Sequence, residues 1–341
     1  MKKHIFTLVF ALSSLAMRAQ VYYSDGNFDP GLYEQKRDAA RERILKNHII
    51  ATKVYRYDAD SNKSDKGNNG FLTEEHQYDE KGNLVDYKTL NKHGRITTEY
   101  LYRFDDKGRN IEFTELKRNG NIHRQITNSF DKAGNNIDTH WYYSDQFSIH
   151  KTRKYDDKNR MTEQAYFYRH DKRKGYYYTF SYYDDGSKKQ SIEYNPNGKA
   201  MHTWNYDCAP IGELAREKQK DTTKVCVRFE TDKNGNQVKV KEEFVKNGPM
   251  VRRINKYDLR DNLLDMESYD IKGHIITHTN ITYNEMNQIT EYTAYKKRSD
   301  VISGRLVYIY DADGNIVKLL TYKGVDKPKY VVKYSYLASK E

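Results

Sequence analysis

Histidines and carboxylates are the residues of this sequence whose types and spacing could do chemistry. His274 and His278 stand four residues apart, a spacing that would offer two metal ligands on a helix. They follow a glycine turn in a segment with strand character, where the same spacing separates the two residues by about 13 Å. We therefore expect both histidines to be exposed polar residues, and the sequence predicts no metal site and no cofactor.

Paired carboxylates could also hydrolyse a glycosidic bond, because that reaction needs only two of them flanking the bond. Most aspartates, however, recur at one position of a repeated turn, where a structural role already explains them. Examples are Asp105, Asp131, Asp156 and Asp258. The sequence has no phosphate-binding glycine loop and no nucleophile elbow. It predicts a protein that is not an enzyme, with a glycoside hydrolase as the third choice of function.

Aromatic density is the irregularity with the most functional promise. Between Trp141 and Tyr206, 17 of 66 residues are aromatic, against 13% for the whole chain. Consecutive aromatic residues on a strand point to both faces, so they cannot all be buried in one core. Exposed aromatic surface marks binding sites, and rings with polar tips suit glycans or protein surfaces. The candidate ligand-binding residues are Trp141, Tyr143, Tyr166, Tyr168, Tyr176, Tyr178 and Trp204.

Two other interpretations bear on this aromatic stretch. Tyrosine could simply replace aliphatic residues in a thin sheet, since it is favoured in strands and its hydroxyl tolerates water. Lys151, Arg153 and other basic residues interleave with the rings and would favour an anionic ligand. Nucleic acid would suit stacking and positive charge, but the predicted export of the chain makes it the least favoured partner.

An internal repeat supplies the elements that would position these side chains. The segment from Tyr78 to Leu84 (YDEKGNL) recurs with nine steps over 232 positions, which gives a mean period of about 26 residues. Copies begin at Tyr78, Phe104, Phe130, Tyr155, Tyr183, Tyr206, Phe229, Tyr257, Tyr283 and Tyr310. A weaker turn divides each copy, so that strands of about six to nine residues alternate with short loops.

Turn chemistry and side-chain alternation agree with strands. The aspartate of each turn can accept backbone N–H groups, and glycine takes the positive φ that closes the turn. Asn159 and Asn262 stand where glycine is expected and should adopt the same conformation. The period of two between turns indicates strands. The predicted fold is all-β: an elongated antiparallel β-meander of repeated ~26-residue hairpin units, forming an open twisted sheet.

Three segments depart from the repeat, and one of them is the polar loop from Ser61 to Gly70. Asp29 to about Ile50 is predicted to be a helix that caps the first strands, with Asp29 as N-cap and Pro30 at the first position. Cys208 and Cys226 flank the last departure, a predicted helical insert from Ile211 to Gln219. In an exported chain these two cysteines favour a structural disulfide, and the alternative is a pair of unpaired thiols.

The first residues are typical of an export signal. Lys2 and Lys3 precede an apolar stretch that is too short to span a bilayer, and small residues lead to Ala19. We expect a signal peptide over 1–19, an N-terminal extension with the capping helix over 20–52, and the repeat domain over 53–341. The chain is then exported to the periplasm, the cell surface or the medium, with no transmembrane span.

The segments at Tyr78 (YDEKGNL) and Tyr310 (YDADGNI) resemble the signature of YD-repeat (RHS-like) proteins. The resemblance covers roughly residues 55 to 336 and is specific for architecture rather than activity. It implies a surface or secreted bacterial protein that binds carbohydrate or a partner protein. The leading expectation is a non-catalytic binding or scaffold protein that recognises glycan or an envelope protein through its aromatic-rich face. The alternative is a structural spacer or a subunit of a larger surface assembly.

Overall fold

A computed structural model defines the architecture of the chain. It describes residues 30–58, 70–143, 148–168, 174–184, 186, 188–206, 222–231, 235–244, 252–270, 272–297, 299–324 and 327–339. The predicted signal peptide and the helical insert lie outside these residues. In the part of the chain that is described, no helix is long and apolar enough to cross a membrane.

In the described part of the chain, one helix precedes 21 strands. The helix α1 spans Pro30–Lys46 and ends where His48 takes a positive φ of 49°, so it is shorter than predicted. The first strands are β1 (Ile49–Asp58), β2 (Phe71–Tyr78), β3 (Leu84–Leu90), β4 (Ile96–Phe104), β5 (Asn110–Leu116), β6 (Ile122–Phe130), β7 (Asn136–Tyr143), β8 (Ser148–Tyr155), β9 (Met161–Tyr168), β10 (Lys174–Tyr182), β11 (Lys188–Tyr194) and β12 (Ala200–Asn205). The others are β13 (Thr222–Thr231), β14 (Gln237–Phe244), β15 (Arg252–Tyr257), β16 (Leu263–Tyr269), β17 (Ile275–Tyr283), β18 (Ile289–Tyr295), β19 (Ile302–Tyr310), β20 (Ile316–Tyr322) and β21 (Pro328–Ala338).

All 21 strands belong to one sheet in which neighbours in sequence are neighbours in space. Pairing is antiparallel along the chain except between β12 and β13, which run parallel. The strand β1 pairs with β2 on one side and with β21 on the other. The all-β class, the antiparallel meander and the short N-terminal helix are confirmed, whereas the pairing of β1 with β21 was not predicted.

The repeated turn has the chemistry that the sequence predicts. Oδ1 of Asp79 accepts the backbone N–H groups of Lys81 and Asn83 at 2.9 and 2.8 Å, and Gly82 has a φ of 73°. Asn159 takes the glycine conformation with a φ of 58°. The same expectation for Asn262 is wrong, because Asp261 holds the positive φ there, at 60°. Asn262 instead donates to its turn aspartate from both its backbone and its side chain.

Two copies of the repeat begin at residues other than those predicted. The first repeat residue, such as Tyr78, pairs across the turn with the residue six positions later. In the copy assigned to Tyr183, it is Tyr182 that pairs in this way, with Lys188. Tyr183 takes the position that aspartate has in the other turns. Thr231 takes the aromatic position in the copy assigned to Phe229. The sequence alone does not fix where these two copies begin. In one copy two aromatic residues are adjacent, and in the other the aromatic residue is replaced by threonine.

Tyrosine hydroxyls join successive hairpins. The hydroxyl of the repeat tyrosine donates to the backbone carbonyl of the first residue of a strand in the preceding hairpin. Bonds of this kind between described residues join Tyr155 to Asn136 at 3.0 Å, Tyr182 to Met161 at 2.8 Å, Tyr283 to Leu263 at 3.1 Å, Tyr310 to Ile289 at 2.6 Å and Tyr336 to Ile316 at 2.8 Å. Phe130 has no hydroxyl, and in that copy Asn128 Nδ2 donates to the equivalent carbonyl of Asn110 at 3.1 Å. The repeat tyrosine is therefore an inter-repeat latch as well as an apolar residue.

The two faces of the sheet differ in composition. We call the face that carries the latch tyrosines the tyrosine face. It holds a row of stacked rings, in which the ring centroid of Tyr100 lies 5.5 Å from that of Tyr87 and 5.7 Å from that of Phe113. A second apolar cluster on this face contains the buried residues Leu306, Tyr308 and Leu319. The opposite face carries rows of polar and charged side chains and a smaller apolar cluster on β14 and β15. The core is thin and is distributed along the sheet.

The helix α1 lies against the turns on both sides of β1. A Cβ atom on Gly82 would lie 2.9 Å from the backbone oxygen of Arg41 and 2.9 Å from Cγ of Leu45. Asn47 Nδ2 donates to Asn315 Oδ1, in the turn between β19 and β20, at 3.2 Å. The capping role predicted for the helix agrees with these contacts.

Alanine substitutions at two glycines with similar backbone conformation test whether α1 docks on this turn. Gly82 and Gly94 have φ values of 73° and 72°, but a Cβ on Gly94 would meet nothing within 4 Å. We expect Gly94→Ala to lower the free energy of unfolding by about 1–2 kcal/mol through its backbone conformation alone. We expect Gly82→Ala to cost about 1–3 kcal/mol more, because the new methyl group displaces α1. Urea unfolding measures both, and equal losses would show that the helix does not dock on this turn.

Candidate ligand-binding site

Six neighbouring strands, β7 to β12, carry the candidate site on the tyrosine face. Alternation places Trp141, Tyr166, Tyr178 and Trp204 on that face, and cross-strand register aligns them. Lys151 pairs with Tyr166, and Tyr178 pairs with Glu193, which pairs in turn with His202. Five strand spacings of about 4.8 Å make this row about 24 Å long. We call it the aromatic strip, defined by Trp141, Lys151, Tyr166, Tyr178, Glu193, His202 and Trp204.

Polar groups are interspersed among the rings of the strip. Lys151 Nζ lies 4.9 Å from the ring centroid of Trp141 and 5.5 Å from that of Tyr166. The centroids of Tyr166 and Tyr178 are 6.3 Å apart, and those of Tyr178 and Trp204 are 6.2 Å apart. His202 lies 4.3 Å from Trp204. All these side chains are half-buried, so each presents some surface to a ligand.

Lys151 is the unusual charge of the strip. Burial against the two rings, followed by the charge of Arg153, lowers the pKa of Lys151 to about 7. Arg153 is itself held in place, since its Nη1 donates to Asn136 Oδ1 at 2.6 Å and to Thr139 Oγ1 at 3.1 Å. Among the described residues no carboxylate forms an ion pair with Lys151. Its amine is thus available to a ligand.

Hydrogen bonds fix the other polar groups. The hydroxyl of Tyr178 donates to Glu193 Oε1 at 3.1 Å, and burial, followed by the charge of Glu193, raises the pKa of Tyr178. Gln164 Nε2 donates to the hydroxyl of Tyr166 at 2.9 Å. Burial raises the pKa of Tyr166 as well. Both phenols are therefore protonated at neutral pH and positioned for hydrogen bonding.

The remaining predicted residues lie at the ends of these strands. Tyr168 and Tyr176, at the adjoining ends of β9 and β10, are 39% and 44% exposed. The ring of Tyr168 covers Gly175, where a Cβ atom would come within 2.6 Å of it. Tyr143 ends β7 and pairs with Arg124. The structure brings four of the seven predicted residues into the strip and leaves these three at its margin.

Sequence reasoning missed Glu193, His202 and Gln164, because cross-strand register and not spacing along the chain brings them to the rings. The prediction that His278 is an exposed polar residue is wrong for the same reason. Its side chain is 17% exposed and its Nε2 lies 3.3 Å from Asp265 Oδ2, on the strand before it. Cys208 lies outside the described residues, so its disulfide with Cys226 stays a prediction.

Comparisons with known proteins assign no family. No family model and no curated protein matches the sequence. Among solved structures, a chain of the TcdB2-TccC3-Cdc42 complex is similar over 77% of this chain and 14% of its own length, at 12% identity and a TM-score of 0.44. A porin-like protein from Bacteroides uniformis is similar over 85% of this chain and 98% of its own, at 9% identity and a TM-score of 0.31.

A chain of the Photorhabdus luminescens Tc holotoxin pore is similar over 73% of this chain and 15% of its own, at 12% identity and a TM-score of 0.22. This chain thus spans only about a seventh of the length of the two toxin chains. At these identities and TM-scores, none of the similarities assigns a ligand, a partner or an activity, and the resemblance to YD-repeat proteins stays a prediction from sequence.

Proposed function

We propose that the chain is an exported, non-catalytic binding protein that recognises an acidic glycan through the aromatic strip. The single observation that carries the proposal is the row of half-buried rings interspersed with Lys151, Glu193 and His202 across six strands. Ring faces pack on the apolar surfaces of sugars, and the intervening polar groups can hydrogen-bond to hydroxyls. A length of about 24 Å suits an oligosaccharide rather than a single sugar.

Lys151 supports an acidic glycan over a neutral one. An amine between two aromatic rings, with no ion pair to a described carboxylate, can receive a ligand carboxylate or sulfate. Because the pKa of Lys151 is about 7, binding an anion should be accompanied by proton uptake on this amine. A structural spacer, the alternative function, has no need of such a group.

Affinity for polysaccharides tests the proposal. The probes are polygalacturonate and heparin as acidic glycans and dextran as a neutral one, with binding measured by calorimetry. We expect Trp141→Ala with Trp204→Ala to abolish binding of at least one acidic glycan. Tyr142→Ala is the matched control, because Tyr142 is 43% exposed on the same strand but points to the opposite face. Equal effects of the two changes would contradict the proposal.

The pH dependence of binding is a separate prediction. Lys151 is charged below its pKa of about 7 and neutral above it, so affinity for the acidic glycan should fall as the pH rises from about 6 to about 8. Lys151→Met should weaken binding at about pH 6 and remove this dependence. Unchanged affinity across the range in the unaltered protein would exclude Lys151 as the anion contact.

Chromatography of the bound glycan should show no shortening, as expected of a protein that is not an enzyme.

A further inference from the structure

A row of acidic residues on the opposite face recurs with the repeat. Each acid stands eight residues after the repeat aromatic: Asp86, Glu112, Asp138, Asp265 and Glu291. In three copies a built-in donor serves the acid. Lys88 Nζ lies 2.7 Å from Asp86, Gln125 Nε2 donates to Glu112 at 3.0 Å, and Arg305 lies 3.9 Å from Glu291.

Asp138 has two imidazoles in place of such a donor. His140 follows it on β7, and His150 lies opposite His140 on β8. Oδ1 of Asp138 lies 3.2 Å from Nε2 of His140 and 3.0 Å from Nε2 of His150. All three ligand atoms lie within 4.8 Å of one another. This cluster has two neutral ligands and one carboxylate, which is a common ligand set for Zn²⁺ and related metals.

The separations suit a four-coordinate ion. Metal–nitrogen and metal–oxygen bonds of about 2.1 Å place the ligands of a tetrahedral site about 3.4 Å apart. The two histidine–aspartate separations are already close to that value. Oδ2 of Asp138 also lies 3.1 Å from Nε2 of His150, so both oxygens of this carboxylate face the imidazoles. A cation between the three side chains would take the place of these contacts.

Aromatic packing surrounds the two histidines. Their rings are stacked with centroids 4.2 Å apart, and Tyr142 and Phe167 stack on the outer sides at 6.0 and 5.3 Å. The side chains of Asp138, His140 and His150 are 31%, 39% and 34% exposed, so an ion can reach them from solvent. To direct both Nε2 lone pairs at one ion between them and Asp138, the two rings would have to turn out of their parallel stack.

We propose that Asp138, His140 and His150 form a binding site for a divalent transition-metal ion such as Zn²⁺. The ion takes the place that the ammonium group of Lys88 occupies between Asp86 and Glu99, where Nζ lies 2.7 and 3.2 Å from the two carboxylates. The fourth coordination position is open to water. The site is on the face opposite to the aromatic strip and does not depend on the proposed glycan binding.

A related cluster supplies an internal comparison. Asp265, Glu267 and His278 occupy the equivalent positions on strands β16 and β17. Asp265 also accepts a hydrogen bond from the side-chain amide of Asn280. One imidazole and two carboxylates favour harder, more weakly held ions than two imidazoles do. Zn²⁺ should therefore fill the Asp138 site first.

Calorimetry of the full chain with ZnCl₂ at neutral pH tests the proposal. We expect one tight site per chain. Its affinity for Zn²⁺ should fall at least about 100-fold in the double variant His140→Gln with His150→Gln, and also in Asp138→Asn. His123→Gln is the matched control, an exposed histidine on the neighbouring strand β6, and it should leave affinity unchanged. Co²⁺ should give visible absorption bands of a four-coordinate site that the double variant lacks.

A transplant sharpens the test. Lys88→His together with Glu99→His copies the ligand set onto Asp86, and we expect a second tight site. Circular dichroism of each variant verifies that the sheet is retained. If the double histidine variant fails to fold, the Zn²⁺ affinity of Asp138→Asn still tests the proposal. Failure of the unaltered chain to bind Zn²⁺, or equal binding by the Asp138→Asn variant, would overturn the proposal.

Discussion

Between about pH 10 and about pH 12 the protein is expected to unfold cooperatively, because its tyrosines resist ionisation only while the sheet is folded. Burial is the leading cause of a raised pKa in twelve described tyrosines, among them Tyr269 and Tyr310, whose values rise to about 12. The twelve are Tyr78, Tyr166, Tyr168, Tyr178, Tyr182, Tyr269, Tyr283, Tyr295, Tyr308, Tyr310, Tyr334 and Tyr336.

The direction of the effect follows from linkage. In the unfolded chain tyrosine has its ordinary pKa of 10.0, and in the sheet the pKa is higher. The stabilising contribution is therefore complete below about pH 10 and is lost as the pH rises through the folded values. Ionisation also removes the latch, because a phenolate cannot donate to the carbonyl of the preceding hairpin.

Phenolate absorbance and near-ultraviolet circular dichroism, followed together during alkaline titration, measure this transition. Phenolate formation and loss of the dichroism signal should coincide and be steeper than a single titration. The same titration in concentrated urea is the control, and there the phenols should ionise near their ordinary pKa without a transition. Complete ionisation of the phenols with the dichroism signal intact would contradict the prediction.

Phe113→Ala is expected to lower the free energy of unfolding by about 3–5 kcal/mol, the usual cost of deleting a buried aromatic ring. Phe113 is only 3% exposed, and its ring lies 5.7 Å from that of Tyr100 and 5.3 Å from that of Tyr102. The guanidinium of Arg124 covers it at 5.4 Å. In a thin core few other residues can close the cavity that remains.

Ile122→Ala is the control for this change, because Ile122 starts the neighbouring strand and is 48% exposed. Its loss should cost below about 1 kcal/mol in urea unfolding. If Phe113→Ala does not accumulate as folded protein, Phe113→Leu should still cost more than Ile122→Ala. Similar losses at the two positions would mean that the stacked rings do not form a core.

The sequence predicts the fold well because its signals are local. The side chain of Asp79 and the positive φ of Gly82 act within one turn, so spacing along the chain suffices to find them. Alternation also places Trp141 and Tyr166 on one face. What spacing cannot supply is cross-strand register, which β-bulges beside the repeat aromatics shift. Glu193 and the pairing of His140 with His150 depend on that register and could be found only from the structure.

The pairing of β1 with β21 has a consequence for the dynamics of the array. In a linear repeat protein the terminal units lack one neighbour and exchange their amide hydrogens fastest. Here nine residue pairs join the two strands, from Ile49 with Ala338 to Asp58 with Tyr330. Neither strand is left with an unpaired edge, so amide exchange in β1 and β21 should be as slow as in the middle of the sheet. Deleting β21 would expose two edges at once, on β1 and on β20, and each is a template for aggregation.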